Sequence, residues 1–142
     1  MDRRLIFLLN VAQRRVQRFV AAQSPNGRVT AAQGGLLFVL GRRDGVLMGE
    51  AGAALDLGMP GISGLVERAV EAGLIEKRSD PDDGRVWRLW LTAAGRRALV
   101  RAKAGAAELN ARLSEGFTDA EIDIVARWLV GVQNKFPKGE NE

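Results

Sequence analysis

Apolar residues recur three or four positions apart over residues 3–22, where Leu5, Leu8, Leu9, Ala12, Val16, Phe19 and Val20 make one stripe and Arg4, Arg14, Arg15 and Arg18 the opposite face. That spacing predicts an amphipathic helix. Ser24-Pro25-Asn26-Gly27 is a cluster of turn formers that ends it. Thr30 and Gln33 have the spacing of a capping box, predicting a helix through Leu40 with Leu36, Leu37 and Leu40 inward, ended by Gly41 and Asp44-Gly45. A short alanine-rich helix follows over residues 48–57, then a turn at Leu57-Gly58-Met59-Pro60. Pro60 suits the first position of another helix, which runs to Ala72 with Gly73 as its C-terminal cap.

The period then changes from helical to alternating. Residues 74–79 and 85–91 read as two strands joined by Asp80-Pro81-Asp82-Asp83-Gly84, strong turn chemistry. Trp87, Leu89 and Leu91 fall on one face of the second strand and Val86, Arg88 and Trp90 on the other. Thr92 caps a long helix to about residue 113, striped by Leu99, Ala102, Ala106, Leu109 and Leu113. Thr118 and Glu121 form a second capping box, opening a last helix with Ile122, Val125, Trp128, Leu129 and Val132 that closes at Pro137. The last five residues are expected to be frayed. The fold class is mainly α with a small β hairpin: two short helices joined by a tight turn and followed by a ribbon, a helix-turn-helix with a wing, flanked by long N- and C-terminal helices.

Composition narrows the chemistry. A chain of 142 residues fits one domain. It has no cysteine and no histidine, which removes disulfides, thiolate catalysis, imidazole base catalysis and His/Cys metal clusters. No cofactor and no metal is expected, nor an enzyme. Its apolar runs are far shorter than the ~20 residues of a membrane span. The opening run stops at Asn10, and no small-residue cleavage site precedes Gln13-Arg14-Arg15, so a leader is not expected and the location is read as cytoplasmic.

The net charge of +4 is unevenly spread: residues 1–41 carry +5, residues 42–91 carry −2 and residues 92–142 carry +1. Individual arginines, rather than bulk charge, therefore decide whether the middle segment can meet nucleic acid.

Around the helix beginning at Pro60, Ile62, Leu65, Val66, Ala69, Val70 and Ala72 gather on one side, while Pro60, Gly61, Ser63, Gly64, Glu67, Arg68 and Glu71 gather on the other. The outward face starts with small residues, so its first turn can approach a surface closely, as a recognition helix approaches base edges. Ser63 can exchange a hydrogen bond there, and Arg68 can reach a phosphate or a guanine. Arg78, Arg85 and Arg88 flank the ribbon tip, where such side chains lie in or beside the minor groove. Asp83 stands two residues before Arg85, close enough to steady the loop. A plain surface helix and a solvated hairpin remain the bland readings of these residues. Gly61-Ile62-Ser63-Gly64-Leu65 is not a nucleophile elbow, because Leu65 replaces the last glycine, and the aspartates at 80, 82 and 83 lack the spacing of a calcium loop.

Gly61-Ile62-Ser63-Gly64-Leu65-Val66-Glu67-Arg68, Gly73-Leu74-Ile75-Glu76-Lys77-Arg78, Asp80-Pro81-Asp82-Asp83-Gly84-Arg85 and Leu91-Thr92-Ala93-Ala94-Gly95, in this order and spacing, resemble the MarR family of bacterial regulators. The resemblance implies one domain over residues 1–142, with a winged helix-turn-helix over 30–92 and dimerisation helices over 1–23 and 93–136. It implies a sequence-specific regulator of double-stranded DNA, in kind a ligand-responsive repressor acting as a homodimer on a pseudo-palindrome. Ser63 then sits where members contact bases, Arg85 is the wing arginine and Asp83 its partner. Pro60, Gly61, Ser63, Gly64, Arg68, Arg78, Arg85 and Arg88 are the candidate DNA contacts. The chain departs from the family at Gly64, where many members carry a larger, often basic residue. A small aromatic or phenolic effector is also implied. Phe7, Val11, Phe38 and Trp87 could line its site, but core packing accounts for them better, and no residue is assigned to the effector. The rival function is a winged helix used for protein contacts, favoured by the slightly acidic middle segment.

Overall fold

The computed structural model describes residues 3–23 and 29–137. The expected turn at residues 24–27 and the expected loose end at 138–142 lie outside them. The elements are α1 (Leu5–Gln23), α2 (Ala31–Arg42), β1 (Val46–Leu47), α3 (Met48–Ala54), α4 (Met59–Glu71), β2 (Ile75–Ser79), β3 (Trp87–Leu91), α5 (Ala93–Ser114) and α6 (Asp119–Lys135). The chain divides into two compact units, one up to Val100 and one from Arg101, with the division inside α5.

In the first unit, α2 starts as expected. Thr30 Oγ1 accepts from Gln33 N at 3.1 Å and Gln33 Oε1 accepts from Thr30 N at 3.1 Å. Leu36, Leu37 and Leu40 on its inward face are fully buried. The helix does not stop at Gly41 but runs to Arg42. Gly41 lies inside the helix, where its lack of a side chain leaves room for Leu99 Cδ2 of α5. The turn falls at the second of the two expected places, Asp44-Gly45, where the Gly45 φ of +79° is open to glycine at little cost. α3 is also shorter than the expected 48–57, ending at Ala54.

α4 packs Ile62, Leu65, Val66 and Ala69 into the same core as α2, while Val70, expected on that side, is exposed. Each large side chain among them contributes roughly 1.5–3 kcal/mol relative to an exposed position. The helix ends at Glu71 in a Schellman motif: Gly73, at φ +75°, donates to Val70 O at 3.0 Å and Leu74 donates to Ala69 O at 3.0 Å.

The expected two-stranded hairpin is a three-stranded antiparallel sheet of order β1-β3-β2. β2 and β3 pair with Arg78 opposite Arg88 and Ile75 opposite Leu91, and β1 adds Val46 opposite Leu89. β1 has two residues, too few to show the alternation that marks a strand in sequence. Leu89 and Leu91 face the core, whereas Trp87, in phase with them, stands at the far end of the ribbon and is exposed.

In the second unit, α6 opens with the expected capping box between Thr118 and Glu121. Ala102, Ala106 and Leu109 on the rest of α5 are half-buried. No described residue of α6 is buried, and Phe117 and Ile124 are 63% and 57% exposed. In the first unit, α1 likewise has no buried residue among those described, and Ile6 is 73% exposed. These two helices carry apolar stripes that the chain itself leaves open to water.

Candidate nucleic-acid interface

α4 begins one residue earlier than expected: Gly58 is the N-cap, Met59 the first helical residue and Pro60 the second. Proline is still harmless there, because the first four helix amides have no intrahelical acceptor to lose. The extra residue brings Met59 to the tip, 60% exposed. Sequence reasoning left Met59 in the turn; its spacing of four from Ser63 was the available signal that both share a face.

Pro60, Gly61 and Arg68 are exposed, and Ser63 and Gly64 are half-buried. Arg68 leans back toward the helix start, its Nη1 lying 3.3 Å from the point where a Cβ on Gly64 would stand. No ion pair engages Arg68 among the described residues.

The ribbon tip is held by its own turn chemistry. Asp80 N donates to Val86 O at 2.8 Å, and Asp82 N donates to Asp80 Oδ1 at 2.8 Å. Asp83 Oδ1 accepts from Arg85 N at 3.1 Å and from Arg85 Nε at 3.2 Å. The Arg85 side chain is 92% exposed all the same, so its fork projects from the tip with donors to spare.

Arg88 has a different position. Its Nε donates to Asp80 Oδ2 at 2.6 Å and its Nη1 to Gly45 O at 2.9 Å, with only 34% of the side chain exposed. Its Nε and Nη1 are thus engaged within the protein, tying the ribbon to the turn after α2. The Asp82 amide first, then the Arg88 fork, holds the Asp80 carboxyl below its ordinary range.

Arg78 is also engaged: Nη2 and Nε donate to Glu76 Oε2 at 2.5 and 3.1 Å, and the guanidinium lies 5.3 Å from the Trp90 ring centre. It remains largely exposed, so this surface pair is cheap to exchange. Asp44 completes the bracing, accepting from Leu91 N at 2.9 Å and from Arg96 Nη2 at 2.6 Å.

Of the residues named for an effector, Phe7 lies under the Arg4 guanidinium, 5.1 Å from its ring centre. Trp87 lies under Lys77 Nζ, 4.4 Å from the ring centre, and Phe38 packs against the core. Two surface hollows of about 270 and 590 Å³ are lined by Glu67, Val70, Glu71 and Lys77 and by Arg14, Gln17, Arg18 and Ala21 respectively. None of Phe7, Val11, Phe38 and Trp87 lines either.

A helix pair whose second member offers a small-residue tip, followed by a braced ribbon with an arginine at its turn, defines a winged helix-turn-helix protein. A family model described as "MarR family" matches residues 29–86. A probable transcriptional regulator from Pseudomonas aeruginosa is 30% identical over 92% of this chain and 98% of its own, with a TM-score of 0.84. The chain therefore belongs to the MarR family of DNA-binding winged-helix transcriptional regulators, and it is not an enzyme.

More distant structures share the fold. The Staphylococcus aureus MepR–DNA complex matches at 18% identity and TM-score 0.89 over 96% of this chain and 100% of that one. Bordetella bronchiseptica BpsR, whose DNA binding is regulated by 6-hydroxynicotinic acid, matches at 23% identity and TM-score 0.75 over 89% and 98%. A comparison with curated proteins finds no match. No helix among the described residues is long and apolar enough to cross a membrane.

Proposed function

We propose that this chain is a ligand-responsive repressor that works as a homodimer on a pseudo-palindromic operator. The observation that carries the proposal is the pairing of two outward features: the small-residue start of α4, lined by Pro60, Gly61, Ser63 and Gly64, and the Arg85 fork projecting from the ribbon tip. α4 enters the major groove by its first turns, with Ser63 and Arg68 toward base edges. Arg85 and Arg78 take phosphates or the adjacent minor groove, and Asp83 and Arg88 hold the ribbon in position for them. The open apolar stripes of α1 and of α6, each taken by itself, support the dimer, since a second copy can cover apolar surface that the chain leaves exposed. Two α4 helices then read half-sites about one helical turn, ~10 base pairs, apart.

A small aromatic or phenolic molecule is the proposed effector, a class that includes the 6-hydroxynicotinic acid regulating BpsR. It acts by binding more tightly to a dimer whose α4 helices are wrongly spaced for the operator. The test is duplex titration at increasing salt together with sedimentation of the free protein. A dimer whose affinity falls steeply with salt supports the proposal. A monomer that ignores duplex DNA at low salt refutes it and points to the protein-contact reading.

A further inference from the structure

We propose that Arg68 is the guanine-reading side chain of α4 and that Gly64 is its seat; this rests on the DNA-binding role above and goes beyond it by naming the base and the device that aims the reader. Helical side chains lean toward the N-terminus and cover the turn before their own Cα, so residue 68 lies over residue 64. Here the covered position has no side chain. The Arg68 Nη1 atom comes to 3.3 Å from where a Cβ would stand, closer than a real methyl and a guanidinium comfortably sit. The missing methyl thus lets the only cation of α4 lie back along the helix, toward the end that enters the groove.

The surroundings decide what it meets. Glu67 and Glu71 are exposed on the same outward face, and both repel phosphate, which keeps the second half of α4 away from the backbone. Arg68 has no carboxylate partner among the described residues, so no ion pair must break before it binds. A planar fork placed toward the groove floor and free of phosphate matches the paired acceptors O6 and N7 of guanine, which no other base offers.

The experiment starts from the full-length dimer and a duplex library with randomised core positions. The wild type is expected to select guanine at one position in each half-site. Replacing that guanine by 7-deazaguanine, which lacks the N7 acceptor, should weaken wild-type binding by about ten-fold and Arg68→Ala binding hardly at all. Arg68→Lys, which keeps the charge and loses the fork, should lose the guanine preference as Arg68→Ala does. The salt dependence should be the same for all three proteins. Gly64→Ala should blunt the preference in the wild-type background and add nothing in the Arg68→Ala background, as a seat acting through its occupant must.

A uniform weakening of all duplexes with a salt slope reduced by about one would make Arg68 a phosphate contact and overturn the inference. Equal 7-deazaguanine effects in wild type and Arg68→Ala, or additive effects of the two substitutions, would overturn it as well. Sequence-selective binding unchanged by Arg68→Ala overturns only this inference. Failure of the wild type to bind any duplex overturns the DNA-binding role beneath it.

Discussion

Gly95→Ala tests how closely α5 is set against the turn between α4 and β2. A Cβ at residue 95 would overlap the Leu74 carbonyl oxygen and stand 3.0 Å from that carbonyl's carbon and 3.3 Å from Leu91 Cδ2. The obstruction is backbone, so no rotamer change relieves it. α5 must instead retreat, and its start is tied to the same place: Thr92 N donates to Leu74 O at 3.1 Å and Thr92 Oγ1 to Gly73 O at 2.6 Å. Overfilling a packed contact costs about 1–3 kcal/mol and weakening a hydrogen bond about 0.5–1.5 kcal/mol, against about 1 kcal/mol recovered from alanine's higher helix propensity. The net loss is therefore about 0.5–3.5 kcal/mol, or a Tm lower by roughly 2–10 °C for a chain of this size.

Gly34→Ala is the matched control. Among the described residues nothing lies within 4 Å of its Cβ position, inside α2, and there the same change should stabilise by about 0.5–1 kcal/mol. Thermal and urea unfolding by far-ultraviolet circular dichroism, at one protein concentration because self-association makes Tm depend on it, reads both. If Gly95→Ala melts at or above the wild type, or if both variants shift in the same direction, the steric account of residue 95 is wrong.

Thr30→Ala removes the reciprocal cap of α2 and should cost about 1 kcal/mol in the same unfolding measurement. Asp80 is held below its ordinary range chiefly by the Asp82 amide and then by Arg88, and Glu121 chiefly by the Thr118 amide and then its hydroxyl. Carboxyls depressed in the folded state stabilise it above their unfolded values and lose that contribution as the pH falls through the folded ones. Tm should thus hold near neutrality and drop below about pH 4, with a shallower drop in Asp80→Asn. Arg85→Ala should weaken binding to every duplex alike and lower the salt slope by about one if Arg85 takes a phosphate, measured by fluorescence anisotropy; a change in base preference without a change in slope would put it in the minor groove, and no change in either would contradict a DNA contact.

Much of this architecture is local and so was legible along the chain. The capping boxes at Thr30 and Thr118 are decided by residues three apart. Gly73 and Leu74 close α4 through bonds to Val70 and Ala69 respectively, again within a few residues. The inward faces of α2 and α4 follow from a period of 3.6, and the turn aspartates from their own backbone amides. Asp83 and Arg85 meet because they are two residues apart.

What escaped the sequence depends on partners far along it. β1 is a strand only because β3 lies beside it, and two residues have no period of their own. Gly41 looks like a helix end, yet it lies inside α2 and leaves room for Leu99 of α5. Arg78, Arg85 and Arg88 are the same residue type on one ribbon, yet Arg88 alone reaches Gly45 O, 43 positions away. Periodicity and turn chemistry determine which segments become helices, strands and caps, because those preferences are met within a few residues. The fate of each side chain at the tip is decided by the fold, because a guanidinium pairs with whatever acceptor the closed chain brings to it.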